Sequence, residues 1–101
     1  MADDDSAAPP PGDHHAALEI RNRLGLHARA AVLLVQTAGR FDAEVTVEKD
    51  GQVVNGRSIM GIMMLAAEQG STIDVRTSGP DAAPALDAIR ELVDARFNEP
   101  E

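Results

Sequence analysis

The stretch LGLHARAA, Leu24 to Ala31, places His27 and Arg29 two residues apart where a helix begins to read. Helix starts usually carry an oxygen-bearing cap and acidic residues in the first turn. The first N–H groups lack partners there, and the dipole leaves partial positive charge. Here the cap position holds an imidazole, a guanidinium follows, and no Asp or Glu appears in the first turn. A start of this kind suits an anion supplied from outside. A phosphate would meet the backbone N–H groups, the dipole and Arg29 together.

His27 at the same point offers a nucleophile, because an imidazole with a free ring lone pair can accept a phosphoryl group without a separate base. Gly25, Ala28 and Ala30 make up the loop and helix start around it, and Leu26 can anchor the loop in apolar packing. The same residues also fit a histidine that merely caps or packs, and the spacing alone leaves both readings open. Metal binding by His27 has no second His or Cys in the folded region to support it. The adjacent His14 and His15 lack a third ligand, so no metal site and no cofactor is expected. No His/Asp arrangement points to serine-type hydrolysis.

These residues sit in a chain of 101 amino acids, enough for one small domain. Only Phe41 and Phe97 are aromatic, so the core must be aliphatic. There is no cysteine, which fits a reducing compartment. The N-terminus is acidic and proline-rich without an apolar signal segment, and no run approaches the ~20 apolar residues of a membrane span. A soluble cytoplasmic protein is the expectation. The net charge of −8 argues against a nucleic-acid binder. Residues 21–58 are nonetheless net positive: Arg21, Arg23, Arg29, Arg40, Lys49 and Arg57 outnumber Asp42, Glu44, Glu48 and Asp50. That relatively basic region favours an anionic ligand or an acidic partner surface.

The elements that must position the site follow from periodicity. Residues 1–15 read as a disordered acidic tail, and 16–98 as the folded domain. Ala16, Leu18 and Ile20 alternate with polar residues, as a half-buried strand does. Ala28, Ala31, Leu34, Val35 and Ala38 follow helical spacing up to Gly39. Ala43, Val45 and Val47 make a strand that Asp50-Gly51 turns back through Gln52 to Asn55. A second helix runs from a Ser58 cap to about Gln69, a strand from Ser71 to Thr77, and a last helix from an Asp81 cap with Leu86, Ile89, Leu92, Val93 and Phe97 on its buried stripe. The order β-α-β-β-α-β-α predicts an α+β open-faced sandwich: a four-stranded, mainly antiparallel sheet with three helices on one face.

The second helix is unusual. In GRSIMGIMMLAA, Gly56 to Ala67, apolar residues occur nearly all round. Either the helix is deeply buried, or some of its Met and Ile side chains form an adaptable docking surface. Phosphate on Ser58 would add negative charge in the middle of such a surface. A plain N-cap is the simpler role for that serine.

Taken together, LGLHARAA, the element order and VNGRSIMGIMMLAA some thirty residues later resemble the HPr family of phosphocarriers of the bacterial phosphotransferase system. The resemblance covers Leu18 to Phe97. It implies that His27 accepts the phosphoryl group on Nδ1 from phospho-enzyme I, charged by phosphoenolpyruvate, and passes it to an enzyme IIA-type acceptor. It implies that Arg29 binds the phosphate, that Ser58 matches the serine on which a kinase and phosphatase act as a regulatory mark in some bacterial lineages, and that Ile59, Met60 and Met63 dock partners. The chain would be a relay substrate and not an enzyme. An alternative within the resemblance is a regulatory interaction module of a nitrogen-type or catabolite-control branch, switched at His27 or Ser58 and without a sugar-transport role. Two positions depart from the family pattern: Ala30 stands where a proline is usual, and Leu24 where Ser or Asn often precedes the glycine.

Overall fold

The computed structural model describes residues 13–100. The chain runs β1 (Asp13–Glu19), α1 (Ala28–Ala38), β2 (Glu44–Lys49), β3 (Gln52–Asn55), α2 (Ile59–Met64), β4 (Thr72–Ser78) and α3 (Ala82–Asp94), followed by a tight turn at Arg96–Asn98. The strands pair in the order β1-β4-β2-β3, and every pairing is antiparallel.

Alternation sets the two faces of the sheet. Leu18 lies opposite Ile73, Val47 opposite Val75, and Val45 opposite Thr77, all buried on the helix side. Glu48, Asp74 and Arg76 point the other way, into solvent or a partly open face. The helices close the inner face with Leu34 and Ala31 from α1, Ile62 from α2, and Leu86, Ile89 and Val93 from α3. This aliphatic cluster takes in a single aromatic ring, Phe97. The hairpin turns at Asp50 and Gly51, both at positive φ, as the two-residue connection requires.

Several expectations are corrected. β1 begins at Asp13, three residues before Ala16, so His14 and His15 lie in a strand paired with Thr77 and Arg76. β4 already presents free backbone groups there, and the ladder continues along them. Residues 1–12 of the expected tail lie outside the described residues. On α1, Ala28 is exposed and Ala30 is fully buried, so the inward stripe starts one turn position later than the spacing suggested. Asp81 occupies the cap position of α3 without making a side-chain cap bond; its carboxylate accepts the Asp42 N–H at 2.8 Å. Phe97 is buried, but from a turn whose residues 96, 97 and 98 all have φ between 53° and 62°. The chain has left the helix and reversed its hand there.

The largest difference is α2. It ends at Met64 and not near Gln69, with Leu65 and Ala66 N–H groups donating to the carbonyls of Ile62 and Met63. Ala66 then adopts φ 50°, and the next segment is recruited elsewhere: the Ala67 carbonyl accepts the Leu26 N–H at 2.9 Å. Gly25, at φ 69°, lies so close to this segment that a Cβ there would stand 2.4 Å from the Ala67 carbonyl oxygen. Continuing the helix would remove the surface on which residues 22–26 rest.

Two measurements follow. Ile73→Ala removes a fully buried side chain from the middle of the sheet and is expected to cost about 2–5 kcal/mol in urea unfolding followed by circular dichroism. Gly25→Ala must both hold a left-handed backbone and displace a carbonyl, with an expected loss of about 1–3 kcal/mol. Its amide shifts should change at Leu26 and at 66–68. An unperturbed NMR spectrum there would contradict the close approach.

Candidate functional site

His27 stands at the N-cap of α1 with extended backbone, and the first helical hydrogen bond runs from Ala31 N–H to the His27 carbonyl. The cap that seemed missing is the imidazole itself. Its Nδ1 accepts the backbone N–H of Arg29 at 3.2 Å, a ring nitrogen in the role of the usual oxygen. That contact is long and weak for a hydrogen bond.

The other ring nitrogen, Nε2, meets Glu99 Oε2. An ionised carboxylate only accepts and a backbone N–H only donates. The two contacts therefore agree on one tautomer: the proton is on Nε2, and the lone pair on Nδ1 faces the start of the helix. Burial pushes the Glu99 carboxyl up. Hydrogen bonds from His27 and Asn22, with the charge of Arg29, outweigh it and leave the carboxyl below its ordinary value. Glu99 is thus held as the anion.

Glu99 is placed by the left-handed turn at Arg96–Asn98, which anchors Phe97 in the core and directs the chain back toward α1. It is also held by Asn22, which is fully buried. Asn22 Nδ2 donates to the Gly25 carbonyl at 2.8 Å and to Glu99 Oε1 at 3.0 Å. One amide group thereby fixes both the loop before His27 and the carboxylate behind it. The Asn22 Oδ1 is buried without a hydrogen-bond partner among the described residues, so this orientation is set by the two bonds from Nδ2.

A hollow of ≈ 510 Å³ opens at this point, lined by Arg23, Leu24, His27, Arg29, Glu99 and Pro100. A second depression continues from His27 and Leu26 onto Ala66–Gln69, the segment after α2. Arg29 is exposed at the rim. Leu24, at 68 % exposed, contributes an apolar wall where a hydroxyl or amide was the usual expectation. Ala30 leaves α1 intact and faces the core.

Of the expected residues, Gly25, His27, Ala28, Arg29 and Ala30 come together at the start of α1. Ser58 caps α2, its Oγ accepting the Gly61 N–H at 3.0 Å. The evenly weighed readings of α2 resolve into a division: Ile62 and Leu65 are buried, whereas Ile59, Met60, Met63 and Met64 are exposed. Met64 joins the outward set without having been singled out. Sequence reasoning also missed Asn22 and Glu99. Glu99 lay one residue beyond the expected domain, and its partners are 72 and 77 residues away in the chain. No local pattern signals such contacts.

Comparison with known proteins matches the sequence and the fold to a family. The family model described as PTS HPr component phosphorylation site matches residues 15–95. The chain is 50 % identical over 82 residues to a phosphocarrier protein HPr of Xylella fastidiosa, covering 81 % of this chain and 92 % of that one. It is 48 % identical over 80 residues to a phosphocarrier protein NPr of Shewanella violacea, covering 79 % and 88 %. A crystal structure of HPr from Thermoanaerobacter tengcongensis superposes with a TM-score of 0.84 at 42 % identity, covering 87 % and 99 %. With this likeness in sequence and fold over most of its length, the chain belongs to the HPr family of phosphocarrier proteins of the phosphotransferase system.

Proposed function

We propose that the chain relays a phosphoryl group through His27 Nδ1, taking it from phospho-enzyme I and giving it to an enzyme IIA-type acceptor. The observation that carries this reading is the orientation of the ring, with Nε2 occupied by Glu99 and Nδ1 aimed at the first N–H groups of α1. Arrival of a phosphoryl group at Nδ1 displaces only the weak contact to Arg29 N–H. The phosphoryl oxygens then take over as acceptors for that N–H, in the favourable end of the helix dipole. The Arg29 side chain, exposed at the rim, is free to swing onto the same oxygens. The exposed Ile59, Met60 and Met63 on α2 supply an apolar face for the proteins that deliver and collect the group.

Incubation with enzyme I and phosphoenolpyruvate is expected to give an acid-labile adduct of roughly 80 Da, the mass of one phosphoryl group transferred to a nucleophile. It should be absent in His27→Ala. An adduct that persists in that variant would place the chemistry elsewhere. Arg29→Ala should still fold and still be phosphorylated, but about ten- to a hundredfold more slowly, as expected for loss of a charge-assisted contact.

Ser58 supports a regulatory reading alongside the relay. Its hydroxyl opens the helix that carries the exposed methionines, so a phosphate there would place a dianion at the edge of the apolar face. Ser58→Asp is expected to weaken phosphoryl acceptance from enzyme I through a higher half-saturating concentration, with little change in the maximal rate. Kinetics identical to wild type would remove Ser58 from any control of docking.

A further inference from the structure

We propose that Glu99, held by Asn22, is a positioning residue for His27: it fixes the reactive tautomer and stabilises the charge that the ring acquires on phosphorylation. The inference rests on the reading of His27 as phosphoryl acceptor and assigns a residue that works behind it.

Three observations converge. Glu99 bonds directly to Nε2 of His27, on the side of the ring opposite the nucleophilic nitrogen. Its second carboxylate oxygen is engaged by Asn22, a fully buried amide that also pins the loop through the Gly25 carbonyl. The backbone accepts three consecutive positive-φ residues, Arg96, Phe97 and Asn98, immediately before Glu99. A left-handed backbone is unfavourable for any residue that carries a Cβ. Burial of Phe97 and the Glu99 contacts are what the structure gains at that turn.

The chemistry gives this arrangement a task. The Nδ1 lone pair forms the new N–P bond, while the bond from phosphorus to the donor atom of phospho-enzyme I breaks and leaves its electron pair on that donor. No proton moves, because Nε2 keeps its hydrogen. The ring therefore gains positive charge as the phosphoryl oxygens retain their negative charge. A carboxylate already bonded to Nε2–H stabilises that imidazolium character, as a buried acid does behind a catalytic histidine. On outward transfer the N–P pair returns to Nδ1 and the neutral tautomer is restored. The carboxylate never approaches the phosphoryl group, since it lies across the ring from it. Asn22 acts one step further back, keeping the carboxylate in register with the ring.

The test uses the full chain with 15N-labelled histidine, comparing wild type, Glu99→Ala and the near-isosteric Glu99→Gln. Ring nitrogen shifts in the unphosphorylated protein should show the Nε2–H tautomer for His27 in wild type and a mixture in Glu99→Ala. Acceptance from phospho-enzyme I should fall about tenfold or more at saturation in Glu99→Ala, the loss expected for a charged hydrogen bond. Glu99→Gln, which keeps an acceptor but not the charge, should lie between. Half-saturating concentrations should not change. Wild-type tautomer and wild-type rate in both variants would overturn the proposal, as would a loss confined to half-saturation, which would make Glu99 a docking residue. If wild type gains no phosphoryl group on His27, the relay reading fails instead. The tautomer measurement, which needs no enzyme I, would still decide whether Glu99 orients the ring.

Discussion

Everything about the site depends on how residues 22–26 are seated against residues 66–68. Gly25 approaches the Ala67 carbonyl more closely than any side chain would permit, Leu26 bonds to that carbonyl, and Asn22 holds the loop from within. This contact decides where α1 begins, and so where an imidazole rather than a serine or aspartate must serve as cap. It also decides where α2 ends. His27 and the apolar face on α2 are consequently parts of one packing arrangement, and neither can be shifted without moving the other.

The parts of the fold that were legible in the sequence are those governed by near neighbours. Val45 and Val47, Ile73 and Val75, and the α3 stripe of Leu86, Ile89 and Val93 each announce their face by period, and Asp50-Gly51 announces its turn by chemistry. His27 and Arg29 were legible for the opposite reason: they break the local rules for a helix start, and such breaks collect at functional positions. The motif resemblance added the identity of the chemistry, which period and charge alone had left open between phosphate binding and simple capping.

What the sequence did not disclose is set by distant partners. α2 keeps helical composition to Ala67, yet the chain turns left-handed at Ala66 and the Ala67 carbonyl is taken by the Leu26 N–H of the loop. Asp81 has the composition of a cap but spends its carboxylate on Asp42. Phe97 fits the stripe of α3 by spacing, although the backbone turns left-handed to deliver it. Asn22 looks like an ordinary loop residue and Glu99 like a solvated acid. Their direct hydrogen bond, and the contact of Glu99 with His27, exist only after the two ends of the domain have met.

The strand order carries a consequence for how the molecule assembles. β1 is the first element of the described chain, and among the described residues its one neighbour in the sheet is β4, with residues 20–71 between them. β2 and β3 can zip locally through their two-residue turn, but β1 has nothing to pair with until the last strand is present. The closing of the sheet is therefore a non-local event that bears the entropy of a long loop, the situation that slows folding in proteins with distant contacts. The same late closure brings the loop at Asn22 and the turn before Glu99 to their final places. A nascent or partly unfolded chain therefore lacks the contact between His27 and Glu99 until β4 and the turn before Glu99 are both in place.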